Sequence, residues 1–373
     1  MRYYIIAGEA SGDLHASRLI RAIRLKDSQA EFRAWGGDLM QAEGATIIKH
    51  YRDLAFMGFS EVIVNLRTIL NNMRFCKEDL LSYNPDAVIF VDYPGFNLPM
   101  AKFAKEKGYK TIYYISPQVW AWKEKRVKTI RKTVDKMLVI LPFEKAFYKK
   151  WNYETEYVGH PLIEIIDGFK SQHPVQKIRE EFGFEEGKKI IAILPGSGKQ
   201  EITKKLPIML AASQYFSEYL FVVAQASAIS DDLIKSFTAS YPNVKVVKGE
   251  TYKLLSISEA ALVTSGTATL ETALFNVPEV VCYKGSPISY AIGKRLIKVP
   301  FIALVNLIMN KLIVKELIQD ELTPENIKIA LEKILPDGPA RKDMISHYTK
   351  LQDLLRAGGA ASEKAASIIC EMI

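Results

Sequence analysis

The chain has 373 residues, 49% of them hydrophobic, enough for two α/β domains with separate cores. Its three cysteines, Cys76, Cys282 and Cys370, lie far apart and form neither a metal-ligand pattern nor a disulfide framework, so a reducing compartment is expected. The net charge of +8 is too mild to require a nucleic-acid partner and fits attraction to an anionic lipid surface, and no apolar stretch is long and charge-free enough to span a bilayer.

The opening residues read as a first strand, Tyr3–Ala7, rather than as a signal peptide. The turn that follows, Gly8-Glu9-Ala10-Ser11-Gly12-Asp13-Leu14-His15, lacks the glycine spacing of a dinucleotide site. It puts Glu9 and Asp13 where a phosphate would sit, so a hydroxyl-bearing acceptor fits it better than an anion. Ser11 and Asp13 are also candidates for capping the next helix, Ser17–Leu25. Arg18, Arg21 and Arg24 mark that helix's polar stripe. A strand is predicted over Glu31–Trp35. The stretch Leu54–Phe75 is more apolar than a surface helix needs; it reads either as a face for acyl chains or membrane, or as a core helix pair.

Helix Phe75–Ser82 and strand Ala87–Asp92 come next. Asp92 stands at the carboxyl end of a buried strand, where doubly wound domains bind ligands, and is placed either to take a proton from an attacking hydroxyl or to cap the turn after it. Helix Pro99–Lys107, strand Thr111–Ser116, helix Lys125–Thr133, strand Met137–Leu141, helix Phe143–Trp151 and strand Thr155–Val158 complete a first half of alternating elements. Continuous apolar strands between helices imply a parallel sheet covered on both faces. The basic run Lys123–Lys132 beside Trp120 and Trp122 suits a membrane interface, or a solvated helix with its stem on the core. His15 and His160 are alternative proton carriers, although a lone histidine is more often structural. No His-x-x-x-His or Asp-x-Asp pattern points to a metal.

The segment from Leu162 to about Glu181 reads as a polar linker with the first helix after it. A second set of strands is predicted over Lys189–Leu194, Leu220–Ala224, Val244–Val247, Ala260–Thr264 and Glu279–Tyr283. The first of these runs into Pro195-Gly196-Ser197-Gly198-Lys199, a phosphate-type turn. The fourth runs into Ser265-Gly266-Thr267, where a helix opens with unpaired backbone N–H groups and carries Glu271 one turn in, placed for a sugar hydroxyl. Two such turns in one half suggest a nucleotide diphosphate. Arg341–Ile373 reads as helix, interrupted at Gly358-Gly359. The expected architecture is two doubly wound domains, 1–165 and 166–345, facing a cleft, with helices over 346–373 crossing back or exchanged in a dimer.

These segments together resemble one family, the bacterial lipid-A-disaccharide synthases. The landmarks are Gly8-Glu-Ala-Ser-Gly-Asp13, Met40-Gln-Ala-Glu-Gly44, Leu54-Ala-Phe-Met-Gly58, Asp86 with Asp92 beyond it, Ser116-Pro-Gln-Val-Trp-Ala-Trp122, Leu141-Pro-Phe-Glu-Lys-Ala-Phe147, Gly159-His160, Leu194-Pro-Gly-Ser197, Ser265-Gly-Thr-Ala-Thr-Leu-Glu271 and Leu304-Val-Asn306. The resemblance implies a GT-B glycosyltransferase without cofactor or metal. It implies transfer of 2,3-diacylglucosamine from its UDP derivative to 2,3-diacylglucosamine 1-phosphate with release of UDP, by a homodimer working peripherally at the cytoplasmic face of the inner membrane of Gram-negative bacteria. It carries the catalytic aspartate onto Asp92, acceptor contacts onto Glu9 and Ser11, and donor contacts onto Ser197, Glu271 and Asn306. Gly198, Lys199, Ser265, Gly266 and Thr267 join the donor set as parts of the two phosphate turns. Two departures stand out: Gly198 where the family usually has arginine, leaving Lys199 as a point charge, and Gly95 where relatives often carry a carboxylate. Within the same fold, a UDP-GlcNAc 2-epimerase or a lipid-linked sugar transferase would use similar turns. A UDP-sugar- or lipid-binding protein without turnover is the alternative from another class.

Overall fold

Strands that must be covered on both faces need apolar residues at every position, and the runs that meet this condition are the ones that pair. A computed structural model describes all residues except 55–65, 186, 287–289, 291–294 and 296–298, with the backbone alone of Leu66. Contacts divide the chain into two units, Met1–Pro161 with Leu355–Ile373, and Leu162–Leu354.

In the first unit the strands are β1 (Arg2–Ala7), β2 (Glu31–Gly36), β3 (Thr46–His50), β4 (Ala87–Val91), β5 (Lys110–Tyr114), β6 (Lys136–Val139) and β7 (Glu156–Tyr157). Among the described residues they form one parallel sheet in the order β3-β2-β1-β4-β5-β6-β7. Alternate residues of β1 feed opposite cores. Tyr3, Ile5 and Ala7 pack with Leu19, Ile20 and Ile23 of the helix Ala10–Lys26. Tyr4 and Ile6 pack with Phe96, Met100 and Tyr148 on the other face. The last helix, Ala361–Met372, places Ala361, Ala365, Ala366 and Ile369 in the first of these cores, against the helix Ala10–Lys26.

In the second unit β8 (Lys189–Leu194), β9 (Tyr219–Gln225), β10 (Val244–Lys248), β11 (Ala260–Thr264), β12 (Glu279–Tyr283) and β13 (Lys315–Ile318) form a parallel sheet in the order β10-β9-β8-β11-β12-β13. Each sheet therefore reverses its strand order once: between β1 and β4 in the first unit, and between β8 and β11 in the second. The space outside the strand ends at such a reversal is where open α/β sheets bind ligands.

Several expectations change in detail. The segment after Pro161, expected as a polar linker with one helix after it, is two helices, Pro161–Gln172 and Val175–Phe182; Gly168 lies inside the first, and Pro174 caps the second. The first helix begins at Ala10, seven residues before the predicted Ser17, because its small and polar opening residues hide its periodicity. Strands β3 and β13 were not predicted. Both are short edge strands, and an edge needs less apolar sequence than a centre. Of the apolar stretch Leu54–Phe75, residues 55–65 lie outside the described residues; beyond them the helix Leu66–Tyr83 exposes Leu70 and Phe75 and buries Cys76 and Leu80.

Candidate active site

In the first unit Ala7 pairs with Val91, so the residues that follow, Gly8 and Asp92, leave the sheet side by side at the reversal point. Asp92 and Tyr93 both adopt left-handed backbone, with φ of 43° and 49°; for Tyr93 that is a strained conformation. The surroundings hold it in place. The Asp92 carbonyl accepts from the Tyr113 hydroxyl at 2.5 Å and from Asn97 Nδ2 at 2.7 Å, while its N–H donates to the Tyr114 carbonyl at 3.2 Å. The Tyr93 ring lies flat on Gly8, where an added Cβ would fall 2.3 Å from it, so the position tolerates no side chain. The Asp92 backbone is consequently fixed, and the residue is partly buried. Burial, and then the charge of Glu9, push its pKa from 3.8 up to about 6. A carboxyl in that range is a competent base at neutral pH.

Glu9 is the N-cap of the helix Ala10–Lys26, and it and Ser11 are exposed at the same turn. Asp13 is buried and turned away. It accepts from the backbone N–H groups of Gly37, Leu39 and Met40 at 2.8, 3.1 and 3.1 Å, capping the helix Asp38–Ala42 rather than its own. His15 and His160 are neutral at physiological pH, with pKa values lowered to about 4 and about 3, mainly by burial. Such low values make both imidazoles weaker bases than the Asp92 carboxylate for the proton of an attacking hydroxyl.

In the second unit Val263 pairs with Leu194, which sets the two phosphate-type turns next to each other. They frame a cavity of about 330 Å³ lined by Gly196, Ser197, Ser265, Gly266, Thr267 and Glu271, together with Glu201, Thr251 and Thr264. Two helices open beside these turns without a side-chain cap. Thr267–Leu274 starts after Gly266, and Lys199–Ala212 starts after Gly198. Their first N–H groups are therefore available to an anion. Gly196 has φ +109° and lies against the Glu201 carboxylate, two independent reasons for glycine there. The Ser265 hydroxyl donates to the Ile302 carbonyl at 3.0 Å, tying one turn to a neighbouring loop. Glu271 accepts from the Tyr252 hydroxyl at 2.6 Å, and burial raises its pKa.

Gly198 and Lys199 are exposed and do not line this cavity. Asn306 does not line it either. It is fully buried, its Nδ2 donating to the Val314 carbonyl and Glu316 at 2.9 Å each, and its Oδ1 accepting from Ile313 and Val314 at 2.8 and 3.0 Å. Glu316 in turn accepts from the N–H groups of Ile302 and Ala303. Asn306 thus fixes the loop to which Ser265 is bonded. Sequence reasoning missed Glu201, Thr264, Tyr252 and Glu316 here, and Tyr93, Asn97 and Tyr113 in the first unit. The Asx-rich pattern Asp92-Tyr-Pro-Gly-Phe-Asn97 was the one available signal, since an asparagine five residues after a strand-end aspartate is spaced to bond back to it. A larger groove of about 610 Å³, with Lys188, Ser213 and Asn243 in its lining, lies at the amino ends of β8–β10, away from both turns. Among the described residues, no group of three or more His, Cys, Asp or Glu side chains is arranged to hold a metal ion.

Comparison with known proteins gives the family and the fold. Residues 3–370 match the model of the family described as lipid-A-disaccharide synthetase. The chain is 40% identical to the lipid-A-disaccharide synthase of Syntrophus aciditrophicus, over 99% of this chain and 97% of that one. It is 36% identical to the enzyme of the same name from Myxococcus xanthus, over 99% and 97%. Among solved structures, a glycotransferase of kitacinnamycin superposes with a TM-score of 0.67 at 12% identity, covering 99% of this chain and 98% of that one. The UDP-GlcNAc 2-epimerase of Neisseria meningitidis bound to UDP-GlcNAc superposes with a TM-score of 0.66 at 13% identity, covering 100% and 99%. These two likenesses establish the two-domain GT-B architecture and nothing about the reaction.

Proposed function

The chain belongs to the lipid-A-disaccharide synthetase family, and from that membership we propose which of its residues carry the transfer. It is a glycosyltransferase of lipid A biosynthesis. The reaction moves 2,3-diacylglucosamine from its UDP derivative to the 6-hydroxyl of 2,3-diacylglucosamine 1-phosphate, and UDP departs.

Asp92 takes the proton of the attacking hydroxyl, giving inversion at the anomeric carbon. Glu9 and Ser11 hold acceptor hydroxyls. On the second unit the diphosphate lies on Ser197, Ser265, Gly266 and Thr267, which line the cavity, and reaches the exposed backbone of Gly198 and Lys199 beside it. There the two helix N-termini stabilise the charge that grows on the leaving phosphate. Glu271 takes the ribose hydroxyls, and Asn306 positions the donor through the loop it fixes. The observation that carries this reading is Asp92: a carboxyl at the reversal point of the first sheet, on a strained turn pinned by Tyr113 and Asn97, with its pKa pushed up to about 6. The test is to incubate the protein with both acylated sugars in detergent and follow UDP and disaccharide by mass spectrometry. Equal amounts of the two products are expected. UDP-sugar binding without disaccharide would overturn the assignment.

Both substrates carry acyl chains, so we place the protein peripherally at the cytoplasmic face of the inner membrane. Trp122 is exposed, with Lys123 Nζ 3.9 Å from its ring centre and Arg126 at 5.9 Å. Lys128, Arg131, Lys132 and Lys150 line a groove of about 410 Å³ that has no carboxylate in its lining. An exposed aromatic among cations suits an anionic headgroup layer. Among the described residues no helix is long and apolar enough to cross a membrane. Flotation with phosphatidylglycerol vesicles but not with phosphatidylcholine vesicles is expected, and Trp122→Ala should reduce it. A homodimer is the assembly we expect by sedimentation velocity.

A further inference from the structure

The cavity on the second unit contains a contradiction. A diphosphate is to bind there, yet its lining holds two carboxylates, Glu201 and Glu271, and no lysine or arginine. Glu271 sits one turn into its helix and is bonded to Tyr252. Glu201 is the sharper problem, because its carboxylate presses on Gly196 within the phosphate-type turn itself.

Behind Glu201 lies Lys205, one turn further along the same helix. Its side chain is 2% exposed, against 37% for Glu201. Its ammonium donates to Glu201 Oε1 at 2.6 Å and is also bonded to the Thr264 hydroxyl, which itself donates to the same Glu201 oxygen at 2.8 Å. The three groups join the start of the helix after β8 to the end of β11, the two strands that flank the reversal point. A lysine is rarely buried without a partner, and burial alone pulls the pKa of Lys205 down while Glu201 pulls it back up. Its placement has a consequence beyond packing: it supplies the positive charge that the cavity lining lacks.

We propose that Lys205 is a positioning residue of the transfer reaction: it cancels the charge of Glu201 and ties it to Thr264, making the turn at Gly196 able to accept a diphosphate. This rests on the reading of that cavity as the UDP site. It also gives Gly198 a meaning. A Cβ at position 198 would meet Glu201 at 3.8 and 4.0 Å, ordinary contact, on backbone with φ −101° that any residue adopts. A cation placed there would face the same carboxylate from the open side, and Lys205 reaches it from the buried side.

The experiment is UDP binding by titration calorimetry, with folding checked by circular dichroism. Wild type should bind UDP; if it does not, the reading of the cavity falls, and this inference with it. Lys205→Met should weaken UDP binding roughly tenfold or more, since it leaves a carboxylate unbalanced beside the diphosphate. Both Lys205→Met/Glu201→Gln and Lys205→Met/Gly198→Arg should regain most of that loss. Weakened binding that neither second change restores would mean that Lys205 only packs the helix, and unchanged binding in Lys205→Met would overturn the inference outright. Should Lys205→Met fail to fold, Glu201→Gln alone decides: it should tighten UDP binding, and weaker binding would refute the charge argument.

Discussion

The sharpest consequence of the structure concerns pH. If Asp92 is the base, only its ionised form works, and its pKa of about 6 sets the acid limb of kcat/KM. Titration about that value leaves about 90% of the carboxylate ionised at pH 7 and about 10% at pH 5, so kcat/KM should fall roughly tenfold between them. A carboxyl at the ordinary 3.8 would lose almost nothing over that range. The acceptor's own phosphate also titrates near pH 6, so a fall alone does not identify the group. Glu9 separates the two. Its charge is the second cause of the raised value, so Glu9→Gln should move the midpoint to lower pH, whereas a substrate phosphate would not move. Asp92→Asn should lose roughly a hundredfold to ten-thousandfold in turnover while still binding UDP. The assay is initial UDP release across pH 5 to 8 under kcat/KM conditions. A flat profile, or a midpoint that ignores Glu9→Gln, would refute the base assignment.

Three further outcomes follow from the same geometry. Because Asp92 binds its proton more tightly folded than unfolded, stability falls as pH rises from about 4 to about 6. The ionised carboxylate then costs at most about 3 kcal/mol at pH 7, so Asp92→Asn should raise the melting temperature by several degrees even as it cuts turnover; an unchanged or lower Tm would count against the burial argument. Gly8→Ala drives a methyl into the Tyr93 ring and should cut kcat with UDP affinity unchanged, whereas Gly196→Ala meets Glu201 and should weaken UDP at least tenfold; calorimetry beside turnover tells the two apart. Asn306→Ala deletes a buried amide that makes four hydrogen bonds and should cost about 3–5 kcal/mol by denaturant unfolding, with weaker UDP binding through the loosened Ile302–Ser265 link.

What was legible in the sequence was what local pattern decides. The central strands were readable because burial on two faces demands unbroken apolar runs: Lys189–Leu194, Ala260–Thr264 and Glu279–Tyr283 came out residue for residue. The strand-end motifs were readable because turns at a sheet reversal need small residues and leave polar ones exposed. What stayed hidden depends on contacts distant in sequence. Asp13 looks like a cap for its own helix, and only the fold shows that it caps Asp38–Ala42. The motif around Asn306 does not show that its amide makes four hydrogen bonds to Ile313, Val314 and Glu316. Lys205 gave no signal at all, because one lysine in a helix of sequence Lys-Gln-Glu-Ile-Thr-Lys-Lys is unremarked until burial singles it out.

The two units share a topology but differ in what stands at the helix N-termini beside the reversal point. In the first unit the N-caps are Glu9 and, after β4, Tyr93; the positive end of the helix after Glu9 faces a carboxylate already in place, which repels a phosphate. In the second unit both N-caps are glycines, Gly198 and Gly266, and the helix ends stay open to an anion. We propose that the identity of the cap residue, more than the fold, decides which substrate each unit takes. Position 198 can test this because its backbone is unstrained and its surroundings roomy. Gly198→Ala should change UDP affinity little. Gly198→Glu imitates the first unit's cap and should repel the diphosphate by about 1 kcal/mol per charge pair at roughly 8 Å and an effective dielectric of about 40, a loss of about tenfold or more that shrinks in high salt. Equal affinities for the two variants, or a loss that salt does not relieve, would show that the glycine caps are there for the turn and not for the charge.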